Sequence, residues 1–421
     1  MLTALASLPL PALAGDGAEK AAAEKAEAAF RARVADAVAR GVGWVRKQQT
    51  RDGSFQGFWG TMTPDDPDAS KSFAGHRLGE TALALLVLRC LGAPADDPQV
   101  IAGFAWARGD YALRRKNDEL QTYHASLLLL ALEAQRNRKP PVPEGNSRGR
   151  AAKAGPAPID DLPWIRELTA WLLSAQGKDG GFSYTAPGYH QHDHSNTQVA
   201  LLALRAARAC GAEVTTSAWR RAAEHLLSCQ EPAGPPCIRR DATWRPGDET
   251  RSVAGRDRAR GWGYQDGHPA TGSMTAGGIS SLVLCRSELV DTPGWDGKAD
   301  AALEQAIWDG VAWIGTHFDV TANPGPKDAA PPIAGKQFYW LYGLERAGVL
   351  SGLPWMGTHD WYREGAAWLL EHQSPAGNWI QGALVEDCFA LLFLGRATPP
   401  APRGAVSGSG GEPPPPGPGG K

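Results

Sequence analysis

The sequence predicts an all-α fold in which helical hairpins stack as repeats and close into one α/α toroid. Three observations predict it. A short motif recurs along the chain at a period of roughly 50–60 residues, longer than one hairpin can stabilise alone. Each copy is followed by a run that is apolar nearly all round, such as Ala82-Leu83-Ala84-Leu85-Leu86-Val87-Leu88, and such a helix must be covered on most sides. The Pro/Gly-rich interruptions fall between these helices, at 137–160, 231–260 and 319–336, and read as loops.

The motif is an aromatic-started helix, then Gln, then a Gly-rich turn ending in an aromatic. Its copies are Trp44 to Gln48 with Gly53 and Phe55, and Trp171 to Gln176 with Gly180 and Phe182. Two more are His225 to Gln230, whose turn is swollen before Gly261-Trp262, and Trp368 to Gln373 with Gly377 and Trp379. Copies near Phe104 and at Trp313 lack the Gln. The apolar helices start near Glu80, Gln121, Asn196, Ser273, Phe338 and Asp387. Six outer–inner pairs make a two-layer ring. Residues 16–40, rich in Ala, Glu, Lys and Arg, form a helix running into Gly41.

The 421 residues, 43% of them hydrophobic, suffice for one large core. We assign 15–397 to the ring. Residues 1–14 read as a signal peptide ending in Ala12-Leu13-Ala14, which implies export to the periplasm or beyond. Residues 398–421, with four consecutive prolines from Pro413, read as a disordered tail. No other run reaches 18 apolar residues, so no spanning helix is expected. A formal net charge of -2 gives no general grip on nucleic acid. The stretch 238–260 carries seven Arg against four acids; a solvated loop accounts for it. Of the six cysteines, Cys229 and Cys237 are close enough in sequence to pair, and the other four sit in apolar helical runs.

The Gln and Gly-x-aromatic elements at Gln176 with Gly180 and Phe182, and at Gln373 with Gly377 and Trp379, resemble the QW-type repeats of squalene-hopene cyclases. They are similar too to the repeats of protein prenyltransferase β subunits. The resemblance covers about residues 30–397. It implies the toroid, with each Gln tying a helix end to a turn, a structural role. The blocks Asp193–Gln198, Gly272–Thr275 and Phe389–Leu394 resemble exported bacterial members without a settled activity. Two catalytic signatures of the superfamily are missing. The cyclase acid Asp-x-Asp-Asp is matched only by Asp65-Asp66-Pro67-Asp68, in another order. The prenyltransferase zinc pair Asp-x-Cys is matched only by Asp387-Cys388, which are adjacent and so point about 100° apart on a helix.

In such a toroid the polar residues that start the inner helices converge on one mouth of the cavity. The resemblance therefore implies a central cavity for an apolar or isoprenoid-like ligand, with acid-base or cyclase-type chemistry. Asp193, as a buried acid beside His124, is the candidate catalytic pair. Asn196, Gln198, Thr275, Tyr339, Trp340 and Tyr342 are the candidate ligand-binding residues. For Ser195, Ser273 and Asp387 helix capping takes precedence. His190, His192 and His194 could bind a metal with Asp193, but three His in five residues need a remote donor, which His124 or Asp387 would supply. A polar loop at the rim accounts for the cluster, and no metal ligand is assigned; no cofactor is named. The alternatives are a non-catalytic exported toroid for a protein or glycan partner, and a carbohydrate-active barrel with two carboxylates in one groove.

Overall fold

The structure is a computed structural model that describes residues 17–51, 53, 56–60, 77–137, 161–185, 192–248, 252–326, 336–380 and 383–400. The expected signal peptide at 1–14, the Asp65–Asp68 cluster, His190 and the tail from 401 lie outside the described residues.

The chain is helical. Among the described residues there are twelve helices and one two-stranded sheet. In order they are α1 (Gly17–Lys47), α2 (Arg77–Cys90), α3 (Pro98–Lys116), α4 (Thr122–Asn137), α5 (Leu162–Ser174), α6 (His194–Ala209) and α7 (Thr216–Cys229). The hairpin β1 (Pro236–Arg240) and β2 (Ser252–Arg258) follows. Then come α8 (Gly272–Leu289), α9 (Gly297–Thr316), α10 (Gln337–Ser351), α11 (Trp361–His372) and α12 (Leu384–Leu394). None of these helices is long and apolar enough to cross a membrane.

Burial separates two kinds of helix. α6 buries every residue from His194 to Leu204. α3 buries a single stripe of Val100, Gly103, Phe104, Ala107, Tyr111 and Arg114, the i, i+3, i+4, i+7 spacing of a one-sided helix. The even-numbered helices pack in succession, α2 on α4, then α6, α8, α10 and α12, and α12 packs back on α2. The odd-numbered helices flank them, α3 on α2, α5 on α4, α7 and α9 on α8, α11 on α10, and α1 on α12. All six apolar helices begin within three residues of their expected starts.

The repeat motif has one geometry in four copies. Gln176 Nε2 donates to Gly180 O in its own turn and to Ala218 O in α7, both at 3.0 Å. Gln230 reaches Arg260 O and Ala306 O, both at 3.0 Å, and Gln373 reaches Gly377 O at 3.0 Å and Ala37 O at 2.8 Å. A neutral amide nitrogen carries two hydrogens, so each Gln ties its turn to the next odd-numbered helix. The closing aromatics pack beneath, Trp262 buried and Trp379 half-buried: Trp262 Nε1 donates to Leu226 O and Trp379 Nε1 to Leu369 O, both at 2.8 Å. We expect Gln176→Ala and Gln373→Ala each to lower stability by about 1–3 kcal/mol, because two carbonyls lose a buried donor. Urea unfolding with unchanged midpoints would contradict this.

Several expectations are corrected. In the first copy the clamp is Gln49, not Gln48: Gln49 Nε2 holds Gly57 O at 3.2 Å and Gln99 O at 2.9 Å, and Trp59 closes the turn. Trp44, Trp171, Trp313 and Trp368 lie in the last turns of their helices rather than starting them. α1 runs through Gly41 to Lys47; a Cβ at Gly41 would lie 2.6 Å from Leu391, so this Gly serves close packing and not helix termination. The segment 231–260 contains the β1–β2 hairpin rather than only loop. Residues 398–400, expected in the tail, pack on the helices: Thr398 is buried with its N–H and hydroxyl on Glu345, and Pro400 O accepts from Arg205.

Burial pushes the Glu345 carboxyl up to about 7 from 4.5. The folded chain thus holds this proton more tightly than the unfolded chain. Its stabilising contribution is complete below about 4.5 and is lost as pH rises through about 7. Glu345→Gln is expected to flatten the decline in stability across that window, measured by urea unfolding at several pH values. An unchanged slope would contradict this assignment.

Candidate metal centre

Residues 192–194 are pinned between two repeat turns. Asp193 N donates to Phe182 O at 3.0 Å, and His194 N donates to Tyr264 O at 2.9 Å. Asp193 is extended and caps α6, its Oδ1 accepting from Asn196 N at 2.8 Å. The pinning turns His192 and His194 toward the end of α7. There His225 and Cys229 stand four residues apart and so share a helix face. Cys229 Sγ is 3.7 Å from each ring nitrogen of His225. Asp266 comes from the loop after Trp262. The donor atoms of His192, His225 and Cys229 lie within 4.8 Å of one another, and so do those of His194, Cys229 and Asp266.

Both loop histidines are oriented from behind. His194 Nδ1 lies 2.6 Å from Gly263 O, which fixes the hydrogen on Nδ1 and leaves a lone pair on Nε2. That Nε2 is buried with no hydrogen-bond partner among the described residues. His192 Nδ1 lies 2.5 Å from Asp179 Oδ2, with Nε2 3.4 Å from Asp266 Oδ1. A carboxylate or carbonyl behind each imidazole is the arrangement that orients metal-ligating histidines. Close approach depends on Gly181, where a Cβ would sit 2.9 Å from both His192 and His225. The rings of His192 and His225 meet edge-on with centroids 4.3 Å apart.

The electrostatics fit ligands. Burial, with the neighbouring imidazoles, pushes His225 down to about 4, and burial lowers His194 as well, so both are neutral donors at neutral pH. Burial and the hydrogen bond to Asp266 push the Cys229 thiol up to about 12; a bound cation acts in the opposite direction. For Asp266 burial opposes ionisation, but hydrogen bonds from Cys229 and His192 prevail and lower its pKa. Asp266 is the open side of the cluster, with 53% of its side chain exposed against 16% for His192.

The residues expected to carry catalysis and ligand binding divide. Asp193, Asn196, Gln198 and Tyr339 belong to a buried polar network. Asp193 accepts from Ser195 Oγ at 2.6 Å and from Asn196 Nδ2 at 2.8 Å. Gln198 donates to Tyr339 OH at 2.5 Å and accepts from Arg346 at 2.8 Å, and Tyr339 meets Tyr123 OH at 3.0 Å. Tyr342 lies under the Arg346 guanidinium, 4.1 Å from ring centroid to Cζ, and stacks on Phe389. His124 Nδ1 accepts from Gln121 N at 3.3 Å in its own turn.

Two of the expected ligand-binding residues have partners within the fold. Thr275 Oγ1 accepts Trp262 N at 3.2 Å, as Thr81 does for Trp59 and Thr197 for Phe182, so Thr275 is part of the repeat. Trp340 is fully buried and donates to Asp319 O at 2.8 Å, which turns its polar edge to a loop. Asp387 takes the same slot as those threonines, accepting Trp379 N at 2.6 Å. The remote donors to the histidine cluster are His225, Cys229 and Asp266, not His124 or Asp387. Cys229 and Cys237 are both free; Cys229 faces the histidines and Cys237 faces Thr316.

No protein-family model matches the chain, and no curated protein matches its sequence.

Proposed function

We propose that this chain is an α/α toroid that carries a zinc-type metal centre at the junction of α6, α7 and the turn that precedes α8. The ring reading is supported by the succession of even-numbered helices, which returns from α12 to α2. The metal reading rests on one observation above the others: five potential ligands converge from three separate segments, and the two loop histidines are held from behind. Mixed imidazole, thiolate and carboxylate donors suit zinc, which takes four. His192, His225 and Cys229 would supply three of them and leave the fourth position, beside exposed Asp266, for water or a substrate. Zinc there would act as a Lewis acid or lower the pKa of bound water, with Asp266 placed to accept a proton.

An apolar ligand has less support. The cavity lined by Leu86, Leu130, Leu202, Tyr342 and Leu392 and covered by Thr398 has about 40 Å³, far below the roughly 300–1,000 Å³ of small-molecule sites. The test is metal analysis of chain purified after zinc-supplemented expression. One zinc per chain, lost on Cys229→Ser with His225→Ala, is expected. A metal-free chain that takes up no zinc on titration would overturn the proposal.

A further inference from the structure

The arginine-rich stretch 238–260 plays no part in the metal centre, yet the structure gives it an ordered arrangement. β1 and β2 pair antiparallel, with Cys237 opposite Asp257 and Pro236 opposite Arg258. Side chains alternate along a strand, so Asp257 points one way and its neighbours Arg256 and Arg258 the other. Asp257 is 1% exposed and is gripped by Arg239, whose Nε lies 3.0 and 2.9 Å from the two carboxylate oxygens. Arg256 and Arg258 are exposed. They line a cavity of about 400 Å³ with Arg260, Gln305, Asp309 and Gly234.

The charges in this cavity do not cancel. Arg260 pairs with Asp309, its Nε at 2.9 Å and Nη2 at 2.6 Å from Oδ2. The other oxygen of Asp309 accepts the Arg258 backbone N–H at 2.8 Å and Gln305 Nε2 at 2.9 Å. The one carboxylate in the cavity is thereby spent on Arg260. Among the described residues neither the Arg256 nor the Arg258 guanidinium meets an acid. Two unneutralised guanidinium forks thus face one concave space, on a hairpin whose other side is locked by a buried ion pair. Guanidinium forks match the oxygens of a phosphate group, with two parallel N–H···O bonds each. The volume lies within the range of small-molecule sites, and a net charge of -2 argues against a long polyanion.

We propose that this cavity is a binding site for a phosphate-bearing small molecule, with Arg256 and Arg258 holding the dianionic group and the Arg260–Asp309 pair forming its floor. The proposal is independent of the metal centre. The test is calorimetric titration of the full chain at low ionic strength with inorganic phosphate and with glycerol 3-phosphate. Sedimentation with vesicles of phosphatidylcholine containing phosphatidic acid runs in parallel. Saturable binding of either soluble probe is expected, weakened at least about tenfold in the Arg256→Ala, Arg258→Ala double variant. Those side chains are exposed, so circular dichroism and melting of the variant should match the parent. The heats should be equal in zinc-loaded and chelator-treated protein. Absence of saturable binding up to about 10 mM, binding that the double variant retains, binding that requires zinc, or binding to vesicles alone would each overturn it.

Discussion

Zinc affinity is expected to fall at least about 100-fold when His225→Ala and Cys229→Ser are combined, since loss of even an outer partner of a metal ligand costs about 10–100-fold. Competition with a chromophoric chelator measures it. The two residues share one face of α7 and supply the only thiolate in the cluster. Because His225 is buried, the double variant is paired with Asp266→Asn at the half-exposed edge, where the fold has little to lose. Asn lacks the charge of the carboxylate, and a fall of about tenfold is expected there. Affinity unchanged in both variants would remove His225 and Cys229 from the coordination shell and Asp266 from its edge.

The second large effect concerns the turn that packs against His192 and His225. Gly180 has φ +97, and a Cβ there would lie 2.2 Å from Arg221 O in α7. Gly180→Ala therefore combines left-handed strain with a clash against backbone, and about 3 kcal/mol of destabilisation is expected. Gly211 separates the two causes. It has φ +86 but nothing within 4 Å of its Cβ position, so Gly211→Ala is expected to cost only about 1–2 kcal/mol. Equal urea midpoints for the two variants would show that the approach to α7 is not tight. Gly180→Ala should also weaken zinc binding, because the same turn continues into Gly181 under His192 and His225.

The helical class and the starts of the apolar helices were legible in the sequence because burial on all sides leaves an unbroken apolar run, as at Ala82–Leu88 and Val199–Leu204. The clamp role of Gln176 and Gln373 came from the resemblance to QW-type repeats, and the bonds of both residues agree with it. Helix ends were less legible. Trp44 and Trp171 look like helix starts because the aromatic opens the recurring motif, whereas the residues before them, Gly41 to Gly43 and Glu167 to Ala170, already belong to the same helices. The candidate metal site was half legible. His192 and His194 stand out as a local cluster, but their partners come from about 30 and 70 residues away, and contact across a repeat leaves no local pattern. One signal existed. His225 stands five residues before Gln230, where Trp44, Trp171 and Trp368 stand before Gln49, Gln176 and Gln373. An imidazole replacing the repeat aromatic is a departure that packing alone does not require. Asp266 had no such signal, because it lies in a loop whose path is set by the clamp at Gln230 and the pairing of His194 N with Tyr264 O.

X-ray absorption at the zinc edge of the zinc-loaded chain tests the central claim most directly. The account predicts one sulfur at about 2.3 Å and nitrogen or oxygen donors at about 2.0–2.1 Å, with imidazole outer-shell scattering, and the sulfur lost in Cys229→Ser. A shell of oxygen and nitrogen alone in the unaltered chain would contradict it.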